Sequence, residues 1–176
     1  MRQPVDAKRV RDFMRAFGRE AGGDIRVYLT GGATAVLEGW RAATADIDLK
    51  IVPDSDWALQ SMPALKEKLS VNVEIASPGD FIPELPGWQD RSRFIVVEGR
   101  ASFFHYDFYA QALAKIERGH VKDLGDVREM FARHLIEAPR LRALFEEIEP
   151  RLFRYPSIDP KSFRRAVEEA AAGRKQ

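Results

Sequence analysis

Seven consecutive residues, Asp46-Ile47-Asp48-Leu49-Lys50-Ile51-Val52, constrain this chain more than any others. Apolar side chains recur at every second position, and a period of two belongs to a β-strand. Ile47, Leu49 and Ile51 then point into a core, while Asp46 and Asp48 share the opposite face. Like charges held that close repel. A bound divalent cation removes the conflict, and a set of oxygen donors suits Mg²⁺. The plainer alternative is that Asp46 caps a turn and Asp48 faces solvent.

A second feature lies just upstream. Ile25–Thr30 is rich in β-formers and reads as a strand, Gly31-Gly32 breaks it, and Ala33–Glu38 reads as a short helix. Without Cβ atoms, the two glycines let the backbone approach a phosphate, and a helix N-terminus presents N–H donors to it. Taken alone, the same pair is also an ordinary strand-to-helix turn.

The remaining pattern divides the chain in two. Before the glycines, Val5, Val10, Phe13, Met14 and Phe17 recur at helical spacing and predict a helix over 4–18. Asp54 and Ser55 offer a cap for a helix to Leu69, interrupted near Pro63. A strand is expected over 71–76 and a long loop over 77–92, followed by a hairpin of 93–98 and 101–106 turning at Glu98-Gly99-Arg100. From Asp107 onward the pattern is helical, over 107–118, 121–134, 139–149 and again from Asp159-Pro160. The expected fold is α/β (α+β): a mixed sheet with flanking helices over 1–106, and a helical region over 107–176 packed on it.

Composition excludes several functions. The 176 residues are 45% hydrophobic and 31% charged, with a net charge of +1, so the overall balance points to neither a nucleic acid nor a membrane surface. Arg164-Arg165 and Arg174-Lys175 read as solvated surface. With no cysteine in these residues, a disulfide framework, a zinc–thiolate site and a cysteine nucleophile all drop out. No apolar run reaches membrane-span length, and the first residues lead into a charged helical pattern, so the expected compartment is the cytoplasm. His105, His120 and His134 share no spacing and are expected to be structural or exposed. Trp88 either packs the long loop onto the sheet or stacks on a base or acceptor.

Gly31-Gly32, a short helix, then Asp46-x-Asp48 flanked by apolar residues, with Arg41 and Thr44 just before, resembles the nucleotidyltransferase (DNA polymerase β-like) superfamily. Arg41 and Thr44 also look like the small bacterial standalone branch that includes AbiEii-like toxins. The run from Asp107 to Lys115, then Lys122-Asp123-Leu124-Gly125-Asp126, is similar to that branch's helical Lys…Asp-x-x-Asp segment. The resemblance spans roughly Ile25 to Phe131.

This resemblance implies a nucleotidyltransferase core in which Asp46, Asp48 and a third carboxylate hold Mg²⁺ or Mn²⁺. Glu74 is the candidate for that third position and Asp80 the runner-up. Thr30, Gly31, Gly32, Lys115 and Asp123 would contact the nucleotide. The implied reaction moves a nucleoside monophosphate from a triphosphate to an acceptor hydroxyl on RNA, such as tRNA, or on protein, with an antitoxin as the partner of a toxin. Two other functions fit the same residues: an antibiotic-type transferase acting on a small molecule, and a non-catalytic nucleotide-binding protein.

Overall fold

Phe13, Met14 and Phe17, one apolar face of the first helix, are buried against a five-stranded sheet. The computed structural model describes residues 2–173, so Arg174-Lys175 lie outside the described residues. The chain runs α1 (Ala7–Glu20), β1 (Ile25–Thr30), α2 (Gly31–Glu38), β2 (Asp46–Val52), α3 (Asp56–Leu69) and β3 (Asn72–Ile75). After a stretch holding one 3₁₀ turn and α4 (Trp88–Arg91), the hairpin β4 (Arg93–Glu98) and β5 (Ala101–His105) follows. The helices α5 (Phe108–Arg118), α6 (Val121–Ala132), α7 (Ala138–Ile148) and α8 (Pro160–Ala171) complete it. The fold is mixed α/β.

The chain forms two compact units. The first comprises the residues up to Ser77 together with Ser92–Tyr106. The second comprises Pro78–Arg91 and the residues from Asp107 onward. The boundary after Tyr106 falls where the sequence turns helical, but the long loop segregates with the helices.

In the first unit the strand order is β3-β2-β1-β5-β4. β1 is antiparallel to β2 and parallel to β5, and β2 is parallel to β3. Strict burial alternation along β2 puts Ile47, Leu49 and Ile51 in the core, with Val27, Leu29, Val73 and Phe103 beside them. Two tight approaches fix this layer. Gly18 of α1 meets the β4–β5 turn so closely that an added Cβ would lie 2.2 Å from the Glu98 carbonyl oxygen. Val5 and Thr44 exchange two backbone hydrogen bonds of 2.7 and 2.9 Å, tying the start of α1 to the residue two before Asp46.

The second unit is helical. Trp88 belongs to it and is buried, which leaves no ring face for a base to stack on. α8 packs on α5 and α7, with Phe145 and Phe163 edge to face at 4.9 Å between centroids. Among the described residues, no helix is long and apolar enough to cross a membrane.

Candidate functional site

The polar face of β2 is where the expected site residues gather. Asp46 and Asp48 are both half-buried, and Asp48 pairs across β1 with Thr30 and across β3 with Glu74. Residues paired in register project to one face, so Thr30, Asp48 and Glu74 form a row across three strands. Asp46 lies beside Asn72 in the same way. The Asn72 amide links the carboxylates, donating to Asp46 Oδ1 at 2.5 Å and to Glu74 Oε1 at 3.2 Å. Arg2 in turn donates to Asn72 Oδ1 at 3.2 Å and to the Val71 carbonyl at 2.9 Å.

The glycines play two different parts. Gly31 has φ of +62°, the left-handed region that favours glycine. A Cβ there would sit 3.0 Å from Asp48 Oδ2, so the turn opening α2 lies against that carboxylate. Thr30 takes the N-cap position of α2 without a side-chain cap hydrogen bond. The positive end of the helix dipole therefore falls beside Asp48 and favours negative charge there. Gly32 is a packing glycine: a Cβ would overlap Thr44 Oγ1 at 2.0 Å and approach the Arg41 guanidinium at 3.2 Å. Its missing side chain makes room for the segment that delivers Asp46.

Lys115 and Asp123 belong to the second unit and bond to each other there. Lys115 is 6% exposed, with its ammonium 2.8 Å from Asp126 Oδ2 and 3.5 Å from Asp123 Oδ1. Arg118 closes the cluster with two hydrogen bonds to Asp123, of 2.7 and 2.6 Å. Burial pushes the Asp123 carboxyl up, but the Arg118 hydrogen bond and the two cations outweigh it, so it stays below the usual carboxylate range. The i, i+3 spacing of Asp123 and Asp126 puts both on the α6 face that meets α5. Asp80, the competing third carboxylate, is exposed on the 3₁₀ turn Pro78–Asp80.

Sequence spacing gave no hint of one further cluster. His105 Nδ1 lies 3.0 Å from Thr34 Oγ1, and its Nε2 lies 3.1 Å from Glu38 Oε1, which also pairs with Arg93. Hydroxyl, imidazole and carboxylate are connected as in a hydrolase triad. Thr34, however, is wholly buried, so no substrate reaches its oxygen, and the cluster is structural. The Thr34 hydroxyl also reaches the Leu29 carbonyl at 3.3 Å, so the imidazole is held from both sides within the fold.

Burial, aided by the Arg93 charge, pushes the His105 pKa down to about 3. The Glu38 carboxylate pulls the other way but is shared with Arg93, so the direction is downward. An unfolded chain takes up this proton near 6.5 and the folded one only near 3, so acid favours unfolding between those values. Wild type should lose about 2 kcal/mol through this group between pH 7 and pH 5. Urea melts of wild type and His105→Gln at both pH values should show the variant's pH dependence shallower by that amount. Parallel slopes would show that His105 is not held neutral.

The carboxylate row is an all-oxygen donor set of the kind hard divalent cations take. Among the described residues, no three His, Asp or Glu side chains converge as a ready-made metal cage. No family model, no curated protein and no solved structure matches this chain.

Proposed function

We propose that the first unit is a Mg²⁺-dependent nucleotidyltransferase, moving a nucleoside monophosphate from a triphosphate to an acceptor hydroxyl. The observation that supports this best is the row of Asp48 and Glu74, with Asp46 next along β2, set against the left-handed Gly31 turn that opens α2. Carboxylates for a cation and backbone donors for a phosphate then lie on the same end of one sheet. Such an enzyme would act in the cytoplasm, and the resemblance to the standalone toxin branch points to an antitoxin as partner.

The donor chemistry fits Mg²⁺ or Mn²⁺. Asp46 and Asp48 would hold the ion with Glu74, displacing the Asn72 amide from between Asp46 and Glu74. When bound, the ion would offset the negative charge that builds up on the transferring phosphate. The chain's own residues do the rest. The α2 N-terminus and the Gly31 backbone orient the terminal phosphates, with the Arg41 guanidinium close by. Glu74 accepts the proton from the acceptor hydroxyl. That oxygen bonds to the α-phosphorus, the bond to the oxygen bridging the α- and β-phosphates breaks, and pyrophosphate leaves.

The test is a labelling screen. Purified protein is incubated with each α-labelled triphosphate, Mg²⁺ and total RNA, proteins or small hydroxylated compounds. Label should pass to one acceptor class. Glu74→Gln should keep most of its triphosphate affinity while transfer falls by at least about a hundredfold, the scale for losing one positioned catalytic group. Asp80→Asn should transfer normally, and the reverse pattern would move the third carboxylate to Asp80. A second reading, a non-catalytic nucleotide-binding protein, draws on the Asn72 amide standing between Asp46 and Glu74. Triphosphate binding with no label transferred to any acceptor would select it.

A further inference from the structure

We infer that the second unit carries a ligand site, independent of the carboxylate row, for a small molecule with an apolar chain and one carboxylate. A cavity of about 350 Å³ opens between α6 and the last turn of α8. That volume lies within the range of small-molecule pockets. Its walls are Leu124, Val127 and Phe131 of α6, facing Ala170, Ala171 and Ala172.

The gap follows from side-chain size. Leu124, Val127 and Phe131 recur at i, i+3 and i+7, so they line one stripe of α6. α8 buries Phe163 and Val167 in its first turns, but the end of the helix offers only methyl groups. Leu124 and Phe131 therefore stay half-buried, although their neighbour Val127 is buried. An apolar ligand entering here would release water from surface that the fold leaves incompletely covered.

One charged side chain marks the rim. Arg128 follows Leu124 by four residues, is exposed, and forms no ion pair or hydrogen bond with any described residue. Three other cations of α5, α6 and its C-terminal cap are engaged, Lys115 with Asp126, Arg118 with Asp123 and Arg133 with Glu129, and the exposed Lys122 at the start of α6 does not line the cavity. A guanidinium with no partner among the described residues, at the mouth of an apolar cavity, matches a carboxylate on an apolar chain, because its fork donates to two oxygens at once. A neutral apolar ligand would make no use of it.

Calorimetric titration of the full chain with octanoate, and with octanol as the uncharged control, tests this. Octanoate should bind wild type at least about tenfold more tightly than octanol, one charge-assisted pair being worth roughly that factor. Arg128→Gln, at an exposed position, should remove the difference and leave octanol unchanged. Ala171→Phe, which fills the cavity, should abolish binding of both, with an unchanged far-ultraviolet spectrum showing that the helices persist. No octanoate binding to wild type, or octanoate and octanol binding alike, would overturn the proposal. So would undiminished octanoate binding to Ala171→Phe. None of these readouts depends on nucleotidyl transfer, so the two proposals stand or fall separately.

Discussion

Asp46→Asn and Asp48→Asn should each abolish Mg²⁺-dependent triphosphate binding and lower transfer by at least about a thousandfold, while leaving the fold in place. The size follows from the role. Each change removes a negative oxygen from a site that must gather cationic charge around a phosphate, and such electrostatic terms supply much of the catalysis in phosphoryl chemistry. The fold should persist because both side chains are half-buried on the polar face, with the core on the other side of the strand. Asp48 is the harsher case, since it also lies against the positive end of α2. Titration with a non-hydrolysable triphosphate in Mg²⁺ and in EDTA, beside thermal melts, separates the two effects. Unchanged Mg²⁺-dependent affinity in both variants would remove the pair from any metal site and leave Asp48 as a helix-end charge.

The largest loss of stability is expected from a single methyl group on the far side of the sheet. Gly18→Ala puts a carbon 2.2 Å from the Glu98 carbonyl oxygen and 2.7 Å from the Glu98 Cβ. The obstacle is backbone, which cannot swing aside as a side-chain tip does. α1 would have to lift from the β4–β5 turn, and Phe17, next in sequence and fully buried, would lift with it. Overpacking of this kind costs about 3 kcal/mol. For a chain of this length that is a fall of roughly 6–12 °C in Tm. Gly23→Ala is the control, because nothing lies within 4 Å of the added carbon. It should leave Tm unchanged or raise it slightly by stiffening the unfolded chain. Equal melting of Gly18→Ala and wild type would mean that the close approach carries no stability.

How much of this was legible beforehand depends on whether neighbours in sequence or neighbours in space decide the outcome. β1 and β2 begin and end where the pattern put them, at Ile25–Thr30 and Asp46–Val52, because alternation is written in consecutive residues. α2 starts at Gly31, two residues early, since glycine is a poor helix former that can still open a first turn. α3 runs unbroken through Pro63, which sits on the exposed face, where water can satisfy the carbonyl left without a donor.

The site was legible to the same extent. The facing of Asp46 and Asp48 followed from parity, but the alignment of Asp48 with Glu74 required the β2–β3 register, which no local pattern encodes. The different duties of Gly31 and Gly32 were hidden for the same reason, because Thr44 lies twelve residues beyond Gly32. The Thr34–His105–Glu38 cluster joins side chains from helix and strand far apart in sequence. The allegiance of Pro78–Arg91 to the helical unit is likewise set by packing, not composition.

That excursion has a consequence for how the protein is made. β1 lies mid-sheet, yet one of its edges is satisfied by β5 and the residues flanking it, through pairs such as Ile25 with Ala101. During synthesis the chain emerges with β1, β2 and β3 available while that edge still lacks its partner. It then spends Pro78–Arg91 on the other unit before β4 and β5 arrive. Pairing that far apart in sequence is slow to close, and an open central edge invites pairing with another nascent chain. A fragment stopped at Ser77 would hold Asp46, Asp48 and Glu74 but would be a poor subject for expression. The shortest fragment worth making as a folded first unit runs on through Tyr106.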